Sequence, residues 1–234
     1  MDDVPIRNAA TVIVVRDGGA TATGPLEVLL LRRSAELVFH GGSWVFPGGR
    51  FDPEDYAPDR PDDHEHAARR AAVREAAEEA SISVAPDALV PWAHWTTPPG
   101  RPRRFATWFF LAGLGEGASE VVVDGGEISD HLWITPSDAL AARDRGEVDL
   151  PPPTFVSLLR LTQYSSVDHA IDAVPSERYH RFTPRLVNLG EEGQVSIYAG
   201  DVLAGTDSDD LDRPGPRHRL WMVRPSWRYE EFTG

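Results

Sequence analysis

The chain has 234 residues, 41% hydrophobic and 26% charged, which suits one globular α/β domain with additions. It has no cysteine, and all 23 of its basic residues are arginine, so disulfides, thiolate nucleophiles, Cys-ligated zinc, Schiff-base lysines and the P-loop lysine are excluded. The formal net charge of −14 opposes a nucleic-acid polymer as partner, but not a small anion bound where arginines or a cation reverse the local field.

In chain order, Met1–Ala10 opens with two aspartates and has no basic stretch of the kind that starts a signal peptide. Ala9–Val15 and Leu26–Leu31 read as a strand pair split by Gly18, Gly19 and Gly24, and Ser43–Phe46 as a third short strand ended by Pro47-Gly48-Gly49. No apolar run approaches the ~20 residues of a membrane helix, so a cytoplasmic protein without membrane contact is expected. Pro53–Asp63 is acidic and proline-rich and reads as a surface loop. Ala67–Ala80, built of Ala, Arg and Glu without Gly or Pro, reads as a helix, with Asp62 and Glu65 near its start. Strands follow at Val90–Thr96, Arg104–Ala112 and His131–Ile134, helices at Pro136–Arg145, Thr154–Thr162 and Val167–Ala173, and strands at Gln194–Ala199 and Leu220–Val223. No repeat or linker divides the chain.

The segment that carries chemistry is Arg74-Glu75-Ala76-Ala77-Glu78-Glu79. On a helix, Glu75 lies three residues from Glu78 and four from Glu79, which puts the three carboxylates on one side. Like charges at that spacing destabilise a helix by roughly 0.2–0.5 kcal/mol per pair, a sign that a hard divalent cation reverses. The same string also suits a solvated charged face. Arg74 offers a fork for a carboxylate or a phosphate.

With Phe46-Pro47-Gly48-Gly49 upstream, this helix resembles the Nudix box, G-x5-E-x7-R-E-U-x-E-E-x-G-U. Gly49 matches the first glycine; Arg74, Glu75, Glu78 and Glu79 match R-E and E-E. The likeness extends from about Ala9 to Leu161. Gly49 and Arg74 are 25 positions apart, 11 more than the box has, and the excess coincides with the proline-rich loop. The isolated Glu of the box has three competing matches, Asp55, His66 and Glu65, and the final glycine is Ser81.

The resemblance implies an α/β fold, a Nudix-like α/β/α sandwich with a mixed β-sheet. It implies residues 1–163 as the Nudix domain, with 164–234 as an extension packed on it. It also implies Mg²⁺ or Mn²⁺ on Glu75, Glu78 and Glu79, Arg74 among the catalytic residues, and hydrolysis of a small-molecule diphosphate. The general base is open between Glu78, Glu79 and Glu127, an acid in Gly125-Gly126-Glu127-Ile128 outside the helix. A Nudix fold without activity, serving as a ligand-sensing or protein-binding module, is the alternative. The oligomeric state is not legible.

Leu29-Leu30-Leu31-Arg32-Arg33-Ser34 followed by Gly42 and Phe46–Gly49 resembles a signature of coenzyme A diphosphatases, with Leu31 and Val38 departing from it. Arg32, Arg33, Gly48 and Gly49 are accordingly candidates for substrate binding, as are Arg103 and Arg104 in a basic cluster with Arg101. Trp92, Trp95 and Trp108 suit either base stacking or the core. Weaker rivals are zinc on His64, His66 and His40, and a serine hydrolase built on His40-Gly41-Gly42-Ser43; neither has the full set of partners its chemistry needs.

Overall fold

Short β-branched runs alternating with alanine-rich stretches become an α/β fold in the computed structural model, which describes residues 4–18, 24–36, 41–115, 120–174 and 179–232. Val38 and His40 lie outside the described residues. The chain divides into two units, a larger one of Asn8–Ala93 and Thr107–Tyr179 and a smaller one of Met1–Arg7, His94–Ala106 and His180–Gly234. This division draws the ends of three strands, at Ile6–Arg7, His94–Thr96 and Arg104–Ala106, into the smaller unit.

In the larger unit, β1 (Ile6–Asp17), β2 (Leu26–Arg33), β3 (Trp44–Val45), β5 (Val90–Thr96) and β6 (Arg104–Gly113) follow the sheet order β3-β2-β1-β6-β5. β4 (Gly48–Arg50) pairs antiparallel with β1, Ala10 opposite Gly49, and β7 (Ile128–Ile134) pairs antiparallel with β2, Leu29 opposite Trp133. Four helices are described: α1 (His64–Ala80), α2 (Pro136–Asp144), α3 (Pro152–Leu161) and α4 (Val167–Ala173). None of them is long and apolar enough to cross a membrane. Thr135 and Ser166 cap α2 and α4 by accepting the Asp138 and His169 amides.

The helix α1 starts three residues earlier than its composition suggests, because Asp63 caps it by accepting the His66 amide. Its inner face is alanine: Ala68, Ala71, Ala72, Ala76 and Ala80 join Val12, Val14, Leu29, Leu31, Phe110 and Ile128 in one buried cluster. Methyl groups in place of longer side chains bring the helix axis close to the sheet. At the C-terminal end, Ser81 takes the left-handed conformation (φ 56°) with its amide on the Ala76 and Ala77 carbonyls, where a glycine is the unstrained choice. Its hydroxyl offsets part of that strain by donating to the Val122 carbonyl at 3.2 Å.

Pro47-Gly48-Gly49 does not end the strand region, as its composition suggests. Gly48–Arg50 forms β4, because Gly48 runs so close to β1 that a Cβ there would overlap the Thr11 hydroxyl and the Ala10 carbonyl. Trp92 is core, fully buried with its indole N–H on the Ser157 hydroxyl at 3.2 Å.

In the smaller unit, the antiparallel order β12-β11-β10-β9 comprises β9 (Arg185–Asn188), β10 (Gly193–Ile197), β11 (Arg217–Val223) and β12 (Arg228–Phe232), and β8 (His180–Phe182) pairs β5. β8, β9 and β12 lack a strong apolar alternation and are not anticipated from the sequence. Val187, Val195, Ile197 and Leu203 form the apolar centre, and Trp95 stacks on Phe182 at 3.9 Å. Arg219, fully buried, forks onto Asp201 with two bonds of 2.7 Å. Asp201 also accepts the amides of Leu203 and His218. Burial alone would raise the Asp201 carboxyl, but the Arg219 bonds and the two amides outweigh it and hold it below the ordinary carboxylate range.

Two predictions follow from these local geometries. Ser81→Gly relieves the left-handed strain and raises stability by about 0.5–1 kcal/mol, read as a higher denaturant midpoint; a lower midpoint would show that the Val122 bond outweighs the strain. Asp201→Asn leaves Arg219 buried with a weaker partner and destabilises by about 3–5 kcal/mol at neutral pH. Because the folded carboxyl is depressed, that difference is complete above the ordinary value of 3.8 and shrinks as pH falls through the folded one; urea titrations of both proteins across that range read it.

Candidate active site

The side chains expected to carry chemistry meet where β4 passes α1. Gly49 faces Glu75 so closely that a Cβ would overlap the carboxyl, and the Gly48 amide donates to Glu79 Oε2 at 2.8 Å. Arg74 organises the rest. Its Nε and Nη2 fork onto Asp55 at 3.3 and 3.0 Å, and its Nη1 donates to Glu75 and Glu78 at 2.9 and 3.1 Å. Nη2 also reaches the Arg50 carbonyl at 3.0 Å and lies 3.7 Å from Asp52.

Of the three competing matches for the isolated Glu, Asp55 is the one that Arg74 engages. Glu65 pairs with Arg69 at 3.0 Å, and His66 is tied through its backbone amide to Asp63. Asp55 is 3% exposed although it lies in a segment that reads as a surface loop. A 3₁₀ turn at Pro53–Asp55 turns it inward, held by the Asp52 amide on Asp55 Oδ2 at 2.8 Å. The loop beyond closes through the Ala57–Arg60 bridge, with Tyr56 against Phe51 and its hydroxyl 3.3 Å from His64 Nδ1.

Charge in this site is unbalanced. Four carboxylates, Asp52, Asp55, Glu75 and Glu78, lie within 4 Å of a single guanidinium, and Glu79 stands beside them. The Asp55 bond, above all, holds the proton on Arg74 more firmly than usual. Burial pushes the Glu75 carboxyl up, against the pull of Arg74 and with the help of Glu78 and Asp52. Burial also pushes Glu79 up to about 8; the Gly48 amide and Arg33 oppose this, and Glu75 and Glu127 add to it.

The oxygen-only donor set fits a hard divalent cation such as Mg²⁺ or Mn²⁺. The side chains are not arranged around one point, however. Among the described residues no group of three His, Cys, Asp or Glu is set to hold an ion, because Arg74 engages Glu75 and Glu78 while Gly48 engages Glu79. Coordination by all three requires them to turn from these partners.

Of the other expected residues, Arg33 lies 3.6 Å from Glu127, and both come within electrostatic reach of Glu79. Arg32 is exposed on β2, opposite Trp44. Arg103 is exposed, whereas Arg104 is 7% exposed with its Nε on the Thr97 carbonyl at 3.2 Å; both belong to the smaller unit. The sequence reading passed over Asp52, the Arg50 carbonyl and Asp124, of which only Asp124-Gly125-Gly126 carries a turn signature.

With this geometry in view, the chain was compared with known proteins. The NUDIX domain family model matches residues 5–154. Human "Acyl-coenzyme A diphosphatase NUDT19" is 35% identical over 140 residues, 57% of this chain and 37% of that protein. The Gallus gallus protein of the same name is 32% identical over 129 residues, 52% of this chain and 34% of its own length. The chain thus spans little more than a third of these two curated relatives. The crystal structure of a NUDIX hydrolase from Alicyclobacillus acidocaldarius superposes with a TM-score of 0.63 at 28% identity, covering 73% of this chain and 97% of that one.

The Arg74–Asp55 fork makes a testable demand. Asp55→Ala strips a buried guanidinium partner and destabilises by about 2–4 kcal/mol, whereas Asp55→Glu retains most of the stability. Thermal melts of both variants read the difference, and equal melts would remove Asp55 from its place as the anchor of Arg74.

Proposed function

The chain belongs to the NUDIX family, and on that premise we propose that it is a metal-dependent pyrophosphohydrolase. Its substrate would be a small metabolite containing a nucleoside diphosphate, with coenzyme A and its esters foremost. The observation that carries this reading is the excess of carboxylate at α1, more negative charge than Arg74 neutralises. The two vertebrate relatives, named as acyl-coenzyme A diphosphatases, and the matching signature from Leu29 to Gly49 support the choice of substrate class.

Glu75, Glu78 and Glu79 would hold Mg²⁺ or Mn²⁺. When bound, the ion supplies neutralisation of the diphosphate oxygens and a more acidic water. The chain's own residues do the rest. Asp55 fixes Arg74, so that the guanidinium is a preformed counter-charge for carboxylates that would otherwise repel each other and distort α1. Gly49, lacking a Cβ, lets Glu75 lie against β4, and the Gly48 amide holds Glu79. Glu127, 3.6 Å from Arg33, is the acid outside the helix that can accept a proton from water. Arg32 and Arg33 on β2 are the candidates for phosphate recognition.

A product screen tests this reading. With Mg²⁺ or Mn²⁺ present, coenzyme A is expected to give phosphopantetheine and adenosine 3′,5′-bisphosphate, identified by chromatography and mass spectrometry. Products from another diphosphate in a panel of acyl-coenzyme A, ADP-ribose, NADH, diadenosine polyphosphates and nucleoside triphosphates would retain the chemistry and move the substrate. Folded protein silent on the whole panel would favour a binding module instead. Glu79→Gln is expected to lower kcat by more than about a hundredfold with little change in melting temperature; wild-type turnover in that variant would refute the assignment of α1.

A further inference from the structure

The loop between β6 and β7 contains a carboxylate that the reading above does not use. Asp124 turns its side chain back onto the chain that follows it. Its Oδ1 accepts the amides of Gly126 and Ile128 at 3.2 and 2.9 Å, and its Oδ2 accepts the amide of Glu127 at 3.2 Å. Gly125, at φ 71°, makes the left-handed bend that lets three successive amides point at one carboxylate. From the other side, the Glu127 carbonyl accepts the Ser34 amide at 2.8 Å. Ile128, fully buried, anchors the next residue opposite Arg33, where the pairing of β2 with β7 shifts register.

Glu127 is thereby clamped through both of its backbone groups while its side chain, 64% exposed, stays movable beside Arg33. We propose that Asp124 is a positioning residue that holds Glu127 beside Arg33 for its part in the reaction. The inference rests on the reading of Glu127 as the acid outside the helix. What separates this clamp from an ordinary loop tie is the residue it fixes: Glu127, whose carboxylate lies 3.6 Å from Arg33 of β2. An exposed glutamate on an unrestrained Gly-Gly loop samples many directions, and Asp124 removes backbone freedom that the side chain cannot remove for itself.

The test is a kinetic cycle on the full chain, with coenzyme A and Mn²⁺ as probe. Asp124→Ala is expected to lower kcat about tenfold or more with KM changed less than about twofold. Asp124→Asn, which keeps an oxygen for part of the clamp, is expected to fall between Ala and wild type, and it serves where the alanine variant folds poorly. Glu127→Gln lowers kcat by itself, and adding Asp124→Ala to it costs less than about a further twofold, because the two act as one unit. Hydrogen exchange of the Gly126–Ile128 amides is expected to quicken in Asp124→Ala.

Four results would overturn the assignment. Full kcat in Asp124→Ala while Glu127→Gln is impaired removes Asp124 and leaves the reading of Glu127 intact. Multiplicative losses in the double variant show that Asp124 acts through the fold instead of through Glu127. Unchanged exchange denies the clamp whatever the kinetics. Wild-type turnover in Glu127→Gln, or a wild type silent on the whole diphosphate panel, removes the reading on which the assignment rests, and the assignment with it.

Discussion

Five carboxylates crowd one end of a buried-alanine helix; a single guanidinium holds four of them there and the Gly48 amide holds the fifth, Glu79. Arg74 bonds Glu75 and Glu78 on its own helix and Asp55 across the gap, so it is shared between a helix that needs neutralising and a loop that needs an anchor. Each ion pair taken singly at a surface contributes little. The difference here is burial: Asp55 is almost wholly enclosed, Glu75 and Glu79 are largely enclosed, and removing the one cation would leave several desolvated charges unpaired. The excess of negative charge that remains is what gives the site its chemical direction.

Close approach is the second constraint. The alanine face of α1 and the two glycines of β4 remove side-chain bulk on both sides of one contact, and neither would suffice alone. A larger residue on the helix would push it off the sheet, and any Cβ on Gly49 would collide with Glu75. The long insertion between Gly49 and Arg74 is compatible with this geometry because loop closure costs only about 0.6 kcal/mol per doubling of length. Its first residues form the turn that buries Asp55, and its remainder runs to the Asp63 cap without disturbing either end. A loop of unusual length can thus deliver the same ion pair as a short one.

The comparisons agree with the geometry about the family and leave the substrate to experiment. The matched region, residues 5–154, contains β4, α1, Asp55 and the Asp124 loop, so every element of the site lies within it. The smaller unit, most of which lies beyond that region, has its own apolar centre and its own buried ion pair in Arg219 and Asp201. Its cohesion accordingly does not depend on the chemistry at α1.

The elements that carry strong local signals were legible from the residues alone. The helix α1, the strands β1, β2, β5 and β6, and the span Val167–Ala173 follow from periodicity, propensity and capping, which act within a few residues and need no partner. The set Arg74, Glu75, Glu78 and Glu79 was legible for the same reason, since helical spacing puts these residues on neighbouring turns. Tertiary structure decided the rest. It made a strand of Gly48–Arg50, which has no side chain to announce one and forms only because β1 accepts it. It chose Asp55 over Glu65 and His66 as the partner of Arg74, a choice made by burial across an insertion that counting cannot span. It turned Glu79 toward the Gly48 amide, and brought Arg33 of β2 beside Glu127 of the loop before β7. Local sequence determines which groups a segment can present; which groups meet depends on contacts between segments distant in the chain, and those exist only once the chain has folded.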